Sequence, residues 1–216
     1  MKRALGLLAA LWLGCSPAPR PGPEPKAHPE PAETRPLIVA FGDSLTAGFN
    51  VDPGESYPDY LQQMLDAHGY RYRVVNAGIS GDTTGGGLDR VDSIIAMKPA
   101  LAILALGGND GLRGLPLERT RANLAAIVDK LAASGVVTVL AGITLPPNYG
   151  PEYIAGFERI YRELAERRRL PFIPFLLEGV AGQPRLMQGD GIHPTAEGNR
   201  RVAESVFKVV QPLLDR

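Results

Sequence analysis

From Leu37 onward the chain carries five short apolar runs: Leu37 to Phe41, Arg73 to Asn76, Leu101 to Leu106, Val136 to Ala141 and Pro171 to Phe175. Most are continuous rather than alternating. A strand that buries one face has a period of two, whereas a central strand of a parallel sheet is covered on both faces and reads as unbroken apolar residues. The stretches between the runs have the period of amphipathic helices. Tyr57, Tyr60, Leu61, Met64 and Leu65 share one helical face, with Ser56 as N-cap, Pro58 in the first turn and Gly69 as the stop. Leu88, Val91, Ile94 and Ile95 mark a second helix, and Leu117, Leu124, Ile127, Val128 and Leu131 a third, ended by Gly135. Phe157, Ile160, Tyr161 and Leu164 mark a fourth, and Val202, Val206, Val209, Val210 and Leu213 a last. Strands alternating with helices predict an α/β fold, a parallel sheet with helices on both faces and right-handed crossovers. In such a fold, functional groups collect beyond the carboxyl ends of the strands.

Ahead of Leu37 the composition changes. Of the 20 prolines in this 216-residue chain, eight lie between Ser16 and Pro36, among Ala, Glu, Arg and Lys. Such a stretch buries too little apolar surface to offset its chain entropy, so it is expected to be an extended tether. Before it, Lys2 and Arg3 precede a mostly apolar run from Ala4 to Leu13, about half the length a bilayer core needs. That pattern reads as a secretory signal peptide. Leu11-Trp12-Leu13-Gly14-Cys15 resembles a bacterial lipoprotein signal, although Trp12 and Leu13 depart from the usual aliphatic and small residues. The resemblance implies cleavage before Cys15 and lipidation of Cys15. The expected organisation is therefore a signal peptide over 1–14, a lipidated tether over 15–36 and a folded domain over 37–216. The expected location is the periplasmic face of a bacterial membrane, with a soluble periplasmic protein as the alternative.

Charge and residue counts exclude several classes. The chain has 23 basic and 23 acidic residues, and removing the tether leaves the body slightly acidic. A nucleic-acid binder normally carries a basic excess, so none is expected as a partner. Of three histidines and one cysteine, His28 and Cys15 precede the body, leaving it too few such ligands for a structural zinc site, and one cysteine cannot form an internal disulfide. There is no Gly-x-Ser-x-Gly elbow, no His-Glu-x-x-His and no phosphate-binding Gly-Lys-Ser/Thr. Gly85-Gly86-Gly87 reads as a helix entry and not as a dinucleotide fingerprint.

The chemistry sits at the ends of the runs. The first ends in Gly42-Asp43-Ser44-Leu45, the second in Asn76-Ala77-Gly78-Ile79-Ser80-Gly81-Asp82 and the third in Gly107-Gly108-Asn109-Asp110. Near the C-terminus comes Asp190-Gly191-Ile192-His193-Pro194. In a parallel sheet these segments meet at one edge. A serine needs a neighbouring base to become nucleophilic near neutral pH, and His193 is the candidate, because His28 lies in the tether and His68 ends a helix. Asp190 can orient the imidazole and stabilise its cation. The backbone N–H groups of Ser44 and Gly81 and the Asn109 amide are candidate donors to an oxyanion. Taken singly, Ser44 also fits a helix cap, Asp190-Gly191 a turn, His193 a surface residue, Gly81 a tight turn and Asn109 a loop.

In order and spacing the four segments resemble the blocks of the GDSL or SGNH hydrolases. The resemblance covers Leu37 to the C-terminus. It implies Ser44 as nucleophile and first oxyanion donor, Gly81 as second and Asn109 as third, with Asp190 and His193 completing a triad. It implies a flavodoxin-like three-layer α/β/α sandwich with five parallel strands, and ester and thioester hydrolysis without metal or cofactor. Within the family the chain looks most like bacterial acyl-CoA thioesterases, arylesterases and lysophospholipases. Leu145-Pro146-Pro147-Asn148-Tyr149-Gly150 is similar to their substrate loop. The expected partners are small ester or thioester substrates, lysophospholipid among them, and a membrane through Cys15, with the protein a monomer. Two other functions fit less of the pattern: an O-acetyl esterase acting on carbohydrate or peptidoglycan, and a flavodoxin-like small-molecule binder without catalysis. A histidine base must be neutral to act, so the rate should rise as pH passes about 6.5.

Overall fold

All five apolar runs pair in one parallel sheet. The structure, a computed structural model, describes residues 35–215, so the signal peptide, Cys15 and the tether up to Thr34 lie outside the described residues. The strands are β1 (Leu37–Gly42), β2 (Arg73–Gly78), β3 (Leu101–Ala105), β4 (Val137–Ala141) and β5 (Phe172–Ile173). Their spatial order is β2-β1-β3-β4-β5. This is the flavodoxin-like order, in which the chain winds outward in both directions from β1 and leaves a crevice where β1 and β3 part.

Burial follows the reading of the apolar runs. Ile38 to Phe41 of β1 and Leu101 to Ala105 of β3 are fully or almost fully buried, as central strands covered on both faces must be. β2 lies at an edge and exposes Arg73 and Asn76, which limits its use as a template for another strand. β5, the opposite edge, keeps only two residues of the expected Pro171–Phe175. Proline lacks an N–H, so Pro171 and Pro174 bound the ladder on each side.

The helices are α1 (Ser44–Ala47), α2 (Tyr57–Ala67), α3 (Thr84–Ala96), α4 (Gly108–Leu112), α5 (Leu117–Ala133), α6 (Pro151–Arg168) and α7 (Ala196–Val210). Helix α2 packs on α7, while α3 packs on α5 and α5 on α6. The stretch ending at Leu213 divides, because α7 stops at Val210 and Gln211–Leu213 form a 3-10 turn. Ser56 caps α2 as expected, in a reciprocal capping box with Asp59. Gly85 to Gly87 fill the first turn of α3, with Gly87 packed against the Leu106 and Ile127 side chains.

Pairing register brings the working ends together. Gly42 of β1 stands opposite Gly78 of β2 and Ala105 of β3, so three strands finish at one level. Two short helices, α1 and α4, begin just beyond it. They have four and five residues, too few to show a period.

Candidate active site

Asp43 follows the last residue of the first strand and caps α1, its Oδ1 accepting the Leu45 N–H at 3.0 Å. Ser44 is thus the first residue of that helix and not its cap. Asn76 fixes the helix from below, donating from Nδ2 to the Thr46 carbonyl at 2.9 Å and to Ser56 Oγ at 3.3 Å. On the far side of the crevice, Gly107 stands at the N-cap of α4 with φ 116, where a side chain would be strained and a Cβ would lie 2.1 Å from the Tyr161 hydroxyl. That hydroxyl donates to the Leu106 carbonyl at 2.9 Å. Buried Asp110 accepts the Thr84 N–H at 2.8 Å and the Thr84 hydroxyl at 2.5 Å, tying α4 to the start of α3.

The C-terminal turn reaches back to this point. His193 Nε2 lies 2.8 Å from Ser44 Oγ across 149 residues of sequence. Its Nδ1 lies 2.6 Å from Asp190 Oδ2, and the other oxygen of Asp190 accepts the backbone N–H of Ile192 at 2.9 Å and of His193 at 3.0 Å. Burial tends to raise the Asp190 pKa. The His193 backbone and ring bonds and the Ile192 N–H outweigh it, lowering the carboxyl from 3.8 to about 2. Asp190 is therefore an anion wherever the protein is used.

Ser44, Gly81, Asn109 and His193 line one cavity of about 620 Å³, and Asp190 lies behind the imidazole. The rest of the lining is largely apolar, with Leu45, Leu112, Ile143, Leu145, Phe175 and Met187 among it. A hydroxyl bonded to an imidazole, itself bonded to a carboxylate, is the arrangement that makes serine nucleophilic. Residues 40–201 match the GDSL-like Lipase/Acylhydrolase family.

The chain belongs to that family. It is 46% identical over 178 residues to "Esterase TesA" of Pseudomonas aeruginosa, covering 82% of this chain and 89% of that one. A crystal structure of TesA superposes with a TM-score of 0.80, over 83% of this chain and 100% of that one. An "Arylesterase" of Vibrio mimicus is 40% identical over 78% of this chain and 85% of its own. "Thioesterase 1/protease 1/lysophospholipase L1" of Escherichia coli K12 is 37% identical over 82% of this chain and 85% of its own.

The five site positions read from the GDSL blocks, Ser44, Gly81, Asn109, Asp190 and His193, come together at the expected edge. The Asn109 amide is engaged in the free protein, donating to the Asp82 carbonyl at 2.9 Å and more loosely to Asp43 Oδ2 at 3.4 Å. Among the described residues no group of His, Cys, Asp or Glu is arranged to hold a metal ion, and no helix is long and apolar enough to cross a membrane.

Several contributors were not evident from sequence. Asp43 is 2% exposed, and burial pushes its carboxyl up to about 6 against the Leu45 N–H and the attraction of His193. Arg90 of α3 joins three parts of the site. It donates from Nε to Asp82 at 2.8 Å, from Nη1 to the Ala77 carbonyl at 2.9 Å and from Nη2 to the Gly42 carbonyl at 2.9 Å, with its guanidinium over the Phe41 ring. Its place in the second turn of a helix that follows the second GDSL block is the only signal that could have marked it.

Proposed function

We propose that this GDSL-family protein is an exported serine esterase for carboxylic esters and thioesters. Ser44 attacks the acyl carbonyl as His193 takes its proton, and Asp190 holds the resulting imidazolium. The N–H groups of Ser44 and Gly81 and the Asn109 amide bind the oxyanion, the long Asn109–Asp43 contact being the bond most easily exchanged for it. His193 then protonates the leaving alcohol or thiol. Water, deprotonated by the same base, releases the acid from the acyl-enzyme.

The unbroken run of contacts from Asp190 through His193 to Ser44 on the wall of an apolar cavity carries this proposal. A cavity of about 620 Å³ also favours acyl groups longer than acetyl, as in thioesters and lysophospholipids. The names of the TesA, arylesterase and thioesterase/lysophospholipase relatives support the same substrate range. The test is a series of aryl acetate, longer nitrophenyl esters, acyl-CoA and lysophospholipid, with Ser44→Ala as control and fluorophosphonate labelling alongside. Turnover of longer chains, lost with Ser44→Ala, is expected. Strict acetyl preference would favour carbohydrate deacetylation, and absence of labelling at Ser44 would favour a binding module.

Export and anchoring rest on the N-terminal sequence alone. Cys15 as a lipidated N-terminus predicts palmitate labelling in cells that Cys15→Ala abolishes. An unlabelled parent chain would leave a soluble periplasmic enzyme.

A further inference from the structure

Phe49 is 45% exposed and is not among the residues packed into or against the core. Its ring lies on His193 instead, with centroids 4.5 Å apart and planes inclined at 36°. The turn that carries it has little support of its own. Phe49 follows Gly48, the C-cap of α1, and Asn50 has φ 57, a conformation that costs a non-glycine residue energy.

Gln188 holds that turn, with every polar group engaged. Its N–H donates to the His193 carbonyl at 2.8 Å, and its carbonyl accepts the Gly191 N–H at 3.0 Å. The side-chain Nε2 donates to the Phe49 and Pro194 carbonyls, each at 2.8 Å, and Oε1 accepts from Asn50 Nδ2 at 3.2 Å. One side chain therefore bridges the turn after α1 and the turn of the acid and base, 139 residues apart.

His193 needs such a bridge. Its bonds to Asp190 and Ser44 are made at its two ring nitrogens, Nδ1 and Nε2, and so define a line through the ring. They fix its position along that line but leave the ring free to rock about it. A flat group against one face removes that rotation and keeps water off the face.

We infer that Gln188 is a positioning residue for the general base, acting by stapling Phe49 over the His193 imidazole. The inference rests on the proposed roles of Ser44 and His193. It separates from the simpler possibility that Phe49, which also lines the cavity, is only a wall for the acyl chain.

The test uses the full chain with an aryl acetate, the smallest acyl group, and four variants: Phe49→Ala, Phe49→Tyr, Gln188→Met and the double variant Phe49→Ala/Gln188→Met. Phe49→Ala and Gln188→Met should each lower kcat by about 10- to 100-fold, the cost of a misplaced catalytic group, with KM within about twofold. Phe49→Tyr keeps the ring and should stay within about threefold of the parent. The double variant should fall no more than about threefold below Phe49→Ala, because the staple then has nothing to place. Gln188→Glu, which keeps chain length but cannot donate to Phe49 or Pro194, should repeat the Gln188→Met pattern should the latter melt early. Full kcat in Phe49→Ala, a rise in KM alone, or losses that multiply in the double variant would each overturn the inference. Hydrolysis that persists in Ser44→Ala would instead overturn the proposed function, so the two failures are distinguishable.

Discussion

Replacing Asp43 with Asn tests the electrostatics beside the nucleophile. The carboxyl ionises near 3.8 in the unfolded chain but at about 6 in the folded one, chiefly because it is buried. Between those values the folded state keeps a proton that the unfolded state has lost. The stability this group contributes is therefore complete below about pH 4, falls as pH rises to about 6 and stays low above it. Two pKa units correspond to about 3 kcal/mol. Asn removes the ionisation yet remains an equally good N-cap, able to accept from the Leu45 N–H. Asp43→Asn should therefore be more stable than the parent at pH 8 by up to about 3 kcal/mol, or about 6–12 °C in Tm for a domain of this size. At pH 4 the two should melt together. Activity should move the other way. The Asp43 charge attracts His193 and so favours the imidazolium of the transition state. Each 1.4 kcal/mol of that support lost slows kcat about tenfold. Thermal melts from pH 4 to 8 and kcat for an aryl ester supply both measurements. Equal stability of the two proteins at every pH, or a gain as large at pH 4 as at pH 8, would refute burial of this charge as the cause. Unchanged kcat would refute its role at the base.

Other expectations follow from the same geometry. Asn109→Ala should lower kcat by on the order of 10²–10³ with a smaller change in KM, as loss of one oxyanion donor does. Asp190→Asn should lower kcat by on the order of 10⁴, because the imidazolium loses its anionic partner. With that carboxyl held at about 2, the parent's pH–rate profile should show no limb from it between pH 4 and 8. Arg90→Leu should cost about 2–4 kcal/mol in denaturant unfolding and reduce kcat as well, since it strips donors from carbonyls at the ends of two strands and from Asp82.

The long elements were legible because burial on both faces leaves a continuous apolar run and burial on one leaves a helical period. The fifth strand was over-read because apolar content alone does not reveal that Pro171 and Pro174 cannot extend a ladder. The short helices at the site were not legible as helices, because four or five residues hold no period. Ser44, Gly81, Asn109, Asp190 and His193 could be named because their chemistry, order and spacing fit a known set of blocks. Asp43, Phe49, Arg90 and Gln188 could not. Their importance lies in what surrounds them, and a buried aspartate or an exposed phenylalanine is written with the same letter as any other.

The acid and the base lie three residues apart in one turn, bonded to each other by ring and backbone. They move as one body. Alignment of the triad therefore has only two parts to bring into register: the start of α1 and a turn that hangs from the long irregular segment between β5 and α7. Thermal drift or crowding of that segment should change the Ser44–His193 distance long before it touches the His193–Asp190 pair. An inactive fraction of this enzyme would then carry an intact, correctly oriented base that is simply out of reach of its serine.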